Sequence, residues 1–168
     1  MAVLFPGRGY SPNHPLLYYA RSVLLTQGWS VEEATWSAEN LASQKSLLET
    51  ITATLDKVAD MDPLVVGKSL GSYALPLVAH RGWPAIWLTP LLLQSELVDA
   101  LKDVKAKTLL VGGTADEWWD SDVAKKSGLQ VLEMPGATHD LEIADDPVAS
   151  AKLLAEFVET MTLFLESL

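Results

Sequence analysis

Cysteine is absent from the 168 residues, which removes disulfides, thiolate catalysis and cysteine-ligated metal sites together. A reducing, cytoplasmic location is the expectation for such a chain. Positive charge is scarce as well: 12 Lys and Arg stand against 22 Asp and Glu, a formal charge of −10. A surface of that sign keeps a protein soluble but repels phosphate backbones and anionic lipid, so neither nucleic acid nor a membrane is an expected partner. Long apolar runs are missing; none approaches the ~18 residues needed to span a bilayer. Residues Met1 to Gly7 also lack the basic start and apolar stretch of a signal peptide. No cluster of His, Asp and Glu has the spacing of metal ligands, so no metal and no organic cofactor is expected.

What remains is ordinary globular composition, 49 % hydrophobic and 20 % charged, and residues 1–168 are read as one domain. Six short apolar runs recur, each followed by a helical pattern: Val3–Phe5, Ser30–Trp36, Leu64–Val66, Ala85–Leu88, Thr108–Val111 and Leu129–Met134. Several are apolar at consecutive positions, which suits strands buried on both faces. Pro15 opens a helix that places Leu16, Tyr19, Val23 and Leu24 on one face and ends at Gly28. A second is predicted from near Ser37 through Leu41, Leu48, Ile51, Leu55 and Val58, stopping at Asp62-Pro63. The last begins at Asp146-Pro147 and carries Leu154, Phe157, Val158, Met161 and Leu165. Pro76 falls inside the helix after Ser69 and predicts a kink. The alternation predicts an α/β fold, doubly wound, with a six-stranded and mostly parallel sheet. Ligand sites in such sheets lie outside the carboxyl ends of the strands, here the loops after Phe5, Val66, Leu88, Val111 and Met134.

The sharpest local feature is Gly67-Lys68-Ser69-Leu70-Gly71, between a buried strand and a helix. A serine on a sharp strand-to-helix turn needs small residues two before and two after it, and both glycines are in place. Two phosphate-binding readings fail. Gly67-Lys68-Ser69 ends like a Walker A loop, but Asp62 stands where that motif requires glycine. Gly7-Arg8-Gly9 starts like a dinucleotide fingerprint, but Pro12 replaces its third glycine.

Asp116 follows the strand Leu109–Val111 through Gly112-Gly113-Thr114, and His139 follows Met134 through Pro135-Gly136-Ala137-Thr138. Nucleophile, acid and base thus occur in that order, each after its own strand and at one edge of the sheet. A serine hydroxyl is a poor nucleophile until a base takes its proton; imidazole suits that task near pH 7, and a carboxylate fixes its tautomer. The backbone N–H of Leu70 and an N–H in the loop Gly7-Arg8-Gly9 are the expected oxyanion donors. Glu117 is the alternative acid. His80 belongs to the end of a helix, and His14 precedes the serine, against the required order. Lys68 is expected to pack its stem and pair its ammonium with a carboxylate. Trp118 and Trp119 either wall the substrate pocket or pack the sheet edge, and Tyr10 is a further pocket candidate. Leu91-Leu92-Leu93 reads as core or as pocket lining.

Taken together, Leu4-Phe5-Pro6-Gly7, Pro15-Leu16-Leu17-Tyr18-Tyr19, Val66–Gly71, Gly113-Thr114-Ala115-Asp116 and Gly136-Ala137-Thr138-His139 resemble the small, lidless branch of the α/β-hydrolase superfamily, related to dienelactone hydrolase-like proteins. The resemblance extends over nearly the whole chain and implies Ser69, Asp116 and His139 as a catalytic triad. The reading of the residues is hydrolysis of an ester-like bond, with thioester, amide and acyl-transfer chemistry open to the same apparatus. A small or short-acyl substrate is expected because little chain between Thr89 and Glu96 could close over Ser69. A fold retained only for binding or scaffolding is the alternative. Two departures stand out. The superfamily's usual sheet has two more strands at its N-terminal end, and the segment Thr89 to Glu96, where larger relatives insert a lid, is short. Dienelactone hydrolases use a cysteine nucleophile, so their substrate does not transfer to a chain with serine.

Overall fold

The computed structural model describes all 168 residues. Six strands form one parallel sheet in the order β2-β1-β3-β4-β5-β6. These are β1 (Ala2–Phe5), β2 (Val31–Glu33), β3 (Leu64–Lys68), β4 (Ala85–Leu88), β5 (Thr108–Gly113) and β6 (Gln130–Met134). The helices are α1 (Pro15–Thr26), α2 (Gln44–Asp56), α3 (Leu75–Arg81), α4 (Ser95–Leu101), α5 (Ser121–Lys126) and α6 (Pro147–Glu166). No helix is long and apolar enough to cross a membrane.

Strands β1, β3, β4 and β5 are buried along their whole length, because helices cover both faces of the sheet. Successive side chains point to opposite faces, so Val3, Phe5 and Val65 enter one core while Ala2, Leu4 and Val66 enter the other. The first core is closed by Leu47, Ile51 and Leu55 of α2, Leu75 and Val78 of α3, and Leu97 of α4. The second is closed by Leu16, Leu17 and Leu24 of α1 and by Phe157, Met161 and Phe164 of α6. Asp146 caps α6 by accepting the Ala149 N–H at 2.9 Å.

Three local expectations need correction. Helix α2 begins at Gln44 rather than near Ser37, because Asn40 Oδ1 accepts both the Ser37 N–H and the Ser37 hydroxyl at 2.9 Å. That side-chain turn competes with helix, and Ser43 then caps α2 through the Ser46 N–H. Pro76 does not kink a helix. The chain after Ser69 runs as a 3-10 helix to Ala74, and Pro76 lies in the first turn of α3, where its missing N–H costs nothing. Tyr19 and Leu48 are exposed; Leu17 and Ala20 face the core in the first helix, and Leu47 in the second.

Candidate active site

The carboxyl ends of β3, β5 and β6 converge on three side chains. Ser69 follows β3 directly and has φ 51, a left-handed conformation rare for a residue with a Cβ. The turn tolerates it because its flanks are glycines. A Cβ on Gly71 would overlap the Phe5 carbonyl, and one on Gly67 would meet the Trp87 ring at 2.6 Å. The turn is pinned from its far side: Ser72 Oγ donates to the Ser69 carbonyl at 2.6 Å and accepts the Leu91 N–H at 3.3 Å.

The other two side chains come from loops that are tied together. The Ala115 N–H donates to the Ala137 carbonyl at 3.0 Å, and the Gly136 N–H donates to Thr114 Oγ1 at 2.8 Å. Beyond them Leu141, buried and at φ 57, anchors the turn in the core. The outcome is one line of hydrogen-bonded groups. Ser69 Oγ lies 2.7 Å from His139 Nε2, and His139 Nδ1 lies 2.8 Å from Asp116 Oδ2. The Asp116 side chain is fully buried, and its second oxygen accepts the Trp118 N–H at 2.9 Å. A carboxylate held at both oxygens fixes the imidazole with Nδ1 protonated and leaves Nε2 to face the serine. Glu117, the alternative acid, is exposed and contacts neither ring nitrogen. His14 caps the loop before α1, taking the Ser11 N–H on Nδ1 at 3.0 Å, and His80 lies in the last turn of α3.

The loop after β1 abuts this line. A Cβ on Gly7 would stand 3.4 Å from the Ser69 Cβ. The Arg8 N–H donates to no protein acceptor, and neither does that of Leu70, in the first turn of the 3-10 helix. Trp36, which closes the apolar run from Ser30, lies beyond β2 and supports this loop. Its ring stacks on Phe5 at 5.9 Å between centroids, and its Nε1 donates to the Pro6 carbonyl at 2.8 Å.

Beside Leu70 lies a cavity of about 240 Å³, walled by Arg8, Leu41, Ala42, Leu47, Leu70 and Tyr73. A larger one of about 390 Å³ sits outside the histidine loop, between Leu16 and Leu154; neither cavity is lined by Ser69, Asp116 or His139, and the one at Leu70 adjoins the residue next to the serine. None of the aromatic residues proposed as pocket lining borders the cavity at Leu70. The buried Trp119 lies against Gly112, and its indole N–H is satisfied by Glu133 Oε2 at 2.8 Å. Glu133 is held below the usual carboxylate range by hydrogen bonds from Ser121 and Trp119 and by the Lys125 cation. Trp118 is half-buried against the same core. Tyr10 is buried too: its hydroxyl accepts the Leu16 N–H at 3.0 Å, and burial pushes its phenol up to about 12. Leu91 and Leu92 are core residues, and Leu93 alone is exposed. The cavity beside Leu70 is lined instead by residues 41–44, Leu47 and Tyr73, which the sequence shows only as the start of one helix and the middle of another.

No protein-family model matches the sequence, and no curated protein matches it. Solved structures do. Est1E from Butyrivibrio proteoclasticus superposes with a TM-score of 0.80 at 14 % identity, aligning 99 % of this chain with 86 % of that one. An α/β serine hydrolase without lid from Xanthomonas campestris gives a TM-score of 0.71 at 15 % identity, over 99 % and 80 %. An α/β serine hydrolase homologue from Coxiella burnetii gives 0.71 at 16 %, over 98 % and 83 %. The chain therefore has the α/β-hydrolase fold in its lidless form, with six strands in the sheet.

Proposed function

We propose that this protein is a serine hydrolase that cleaves an ester-like bond in a small or short-acyl substrate through an acyl-serine intermediate. The observation that carries the reading is the line Ser69–His139–Asp116, with spacings of 2.7 and 2.8 Å, on a serine held at φ 51. His139 Nε2 takes the hydroxyl proton as Ser69 Oγ bonds to the substrate carbonyl carbon, and the carbonyl electron pair moves to oxygen. The N–H groups of Leu70 and of the Gly7–Arg8 loop are the donors for that oxygen. Asp116 stabilises the imidazolium, which then protonates the leaving alkoxide as the C–O bond breaks. Water repeats the sequence on the acyl-serine and releases the acid. Protons and electrons balance within these groups and water, so the reaction calls for no metal or organic cofactor.

Size preference follows from the walls. The cavity of about 240 Å³ next to Leu70, the residue after Ser69, offers room for a short acyl group. Nothing from Thr89 to Gln94 forms a cover, and each methylene left in water forgoes ~0.8 kcal/mol of burial. Initial rates on p-nitrophenyl esters of rising acyl length, taken above and below the solubility limit, test the reading. The expected result is an optimum at short acyl groups, no jump at the interface, and rates unaffected by exhaustive chelation. A preference that climbs with chain length, together with interfacial activation, overturns it.

A further inference from the structure

Lys68 is the one lysine whose side chain is buried, at 2 % exposure, and the chemistry above does not use it. It ends β3, directly before Ser69. Its stem lies under the loop after β1, where a Cβ on Gly7 would meet Lys68 Cδ at 3.1 Å. Its ammonium stands 4.6 Å from the centre of the Tyr10 ring, and Tyr10 closes that same loop through the Leu16 N–H. On the other side Nζ donates to Asp140 Oδ1 at 3.0 Å, and Asp140 is the neighbour of His139. Burial pulls the Lys68 pKa down, against the hydrogen bond and charge of Asp140 and the charge of Asp116. A desolvated ammonium with one half-exposed partner is a weak stabiliser, and an apolar side chain of equal volume would fill the space at less cost. What the cation supplies instead is a fixed geometry.

We propose that Lys68 is a positioning residue: through Tyr10 on one side and Asp140 on the other, it holds the oxyanion loop and the histidine loop in register across Ser69. The inference rests on the hydrolase reading above and names what assembles that site. It also carries an electrostatic signature. Of the charged groups here, Asp116 from the loop after β5 bonds the His139 ring, Lys68 from β3 pairs with Asp140, and Asp140 and Glu142 flank His139 in its own loop. Removing the Lys68 cation leaves Asp140 uncompensated and favours the imidazolium. Removing the Asp140 charge does the reverse. A tie that only contributed stability would leave kcat of the folded variants, on the plateau of the pH profile, unchanged.

The test compares wild type with Lys68→Met, Lys68→Arg and Asp140→Asn. In Lys68→Met and Asp140→Asn, kcat should fall about tenfold or more with KM within about threefold, since misplacing reacting groups costs rate rather than binding. Lys68→Arg keeps a cation within reach of Asp140 and should recover part of kcat. The acid limb of kcat/KM should move to higher pH in Lys68→Met and to lower pH in Asp140→Asn. The His139 ring resonances, followed by NMR, should move the same two ways while those of His80 stay put. Asp140 is half-exposed, so Asp140→Asn folds even where Lys68→Met does not, and it then carries the test. Folded variants that keep kcat within about twofold, or acid limbs that move in one direction for both, overturn the proposal. Failure of the hydrolase reading looks different: the wild type then turns over no ester, while the NMR titration still reports the tie.

Discussion

The turn that carries Ser69 and the segment from Ala34 to Ser43 border the same cavity, yet they are held in place very differently. At the turn nearly every contact is buried: Gly71 lies against Phe5, Ser72 bridges Ser69 to Leu91, and Lys68 packs under Gly7. The strained φ of Ser69 persists because its surroundings leave no alternative. Across the cavity, Thr35, Ser37, Ala38, Glu39, Ala42 and Ser43 are exposed, and beyond Ala34 and Trp36, which hold to β1 and its loop, an Asn40 side-chain turn shapes the segment. The difference separates two tasks. On the proposed reading, the reacting atoms sit where the core over-determines position, whereas the chain across the cavity is largely exposed.

Substitutions on the two sides should therefore differ in kind as well as in size. The largest effect belongs to the reacting groups: His139→Ala or Asp116→Asn should lower kcat by about 10³–10⁴-fold with little change in KM, as steady-state kinetics would show. A change confined to KM in either variant would break the contrast. Next comes Gly71→Ala. The added methyl overlaps the Phe5 carbonyl, so it should cost about 1–3 kcal/mol in denaturant unfolding and lower kcat as the elbow shifts. On the wall side, Ala42→Trp, at an exposed position, should shorten the preferred acyl length and cut kcat/KM for longer esters by about tenfold, a selectivity change rather than a loss of chemistry. The smallest effect is expected from Glu117→Gln, less than about twofold in kcat, because that exposed carboxylate does not reach His139. A large loss there would mean that the neighbouring acids share the task.

The same division explains what could be read from sequence. Leu64–Val66, Ala85–Leu88 and Thr108–Val111 are apolar at consecutive positions, so their burial between two helical layers was legible. Gly67 and Gly71 marked the sharp turn, and chain order singled out Asp116 and His139, because chemistry on a parallel sheet must come from strand ends. The lining of the cavity beside Leu70 was not legible. Leu41, Leu47 and Tyr73 meet only through tertiary approach and carry no periodic signal that differs from a helix face. Ser37 misled because a side-chain turn with Asn40 imitates a helix start. Trp118 and Trp119 had equal claim to pocket and core until Gly112 and Glu133 gave Trp119 a place to pack and a partner for its N–H.

The central claim is that Ser69 is an activated hydroxyl, and labelling with a fluorophosphonate probe tests it most directly, since the probe reacts with such a group whatever the natural substrate is. Wild type should be labelled, Ser69→Ala should not, and His139→Ala should lose labelling because the base is gone. His80→Ala, at the far end of α3, should keep most of it. Equal labelling of wild type and Ser69→Ala, or no labelling of a folded wild type, would contradict the account and leave a hydrolase fold used for binding alone.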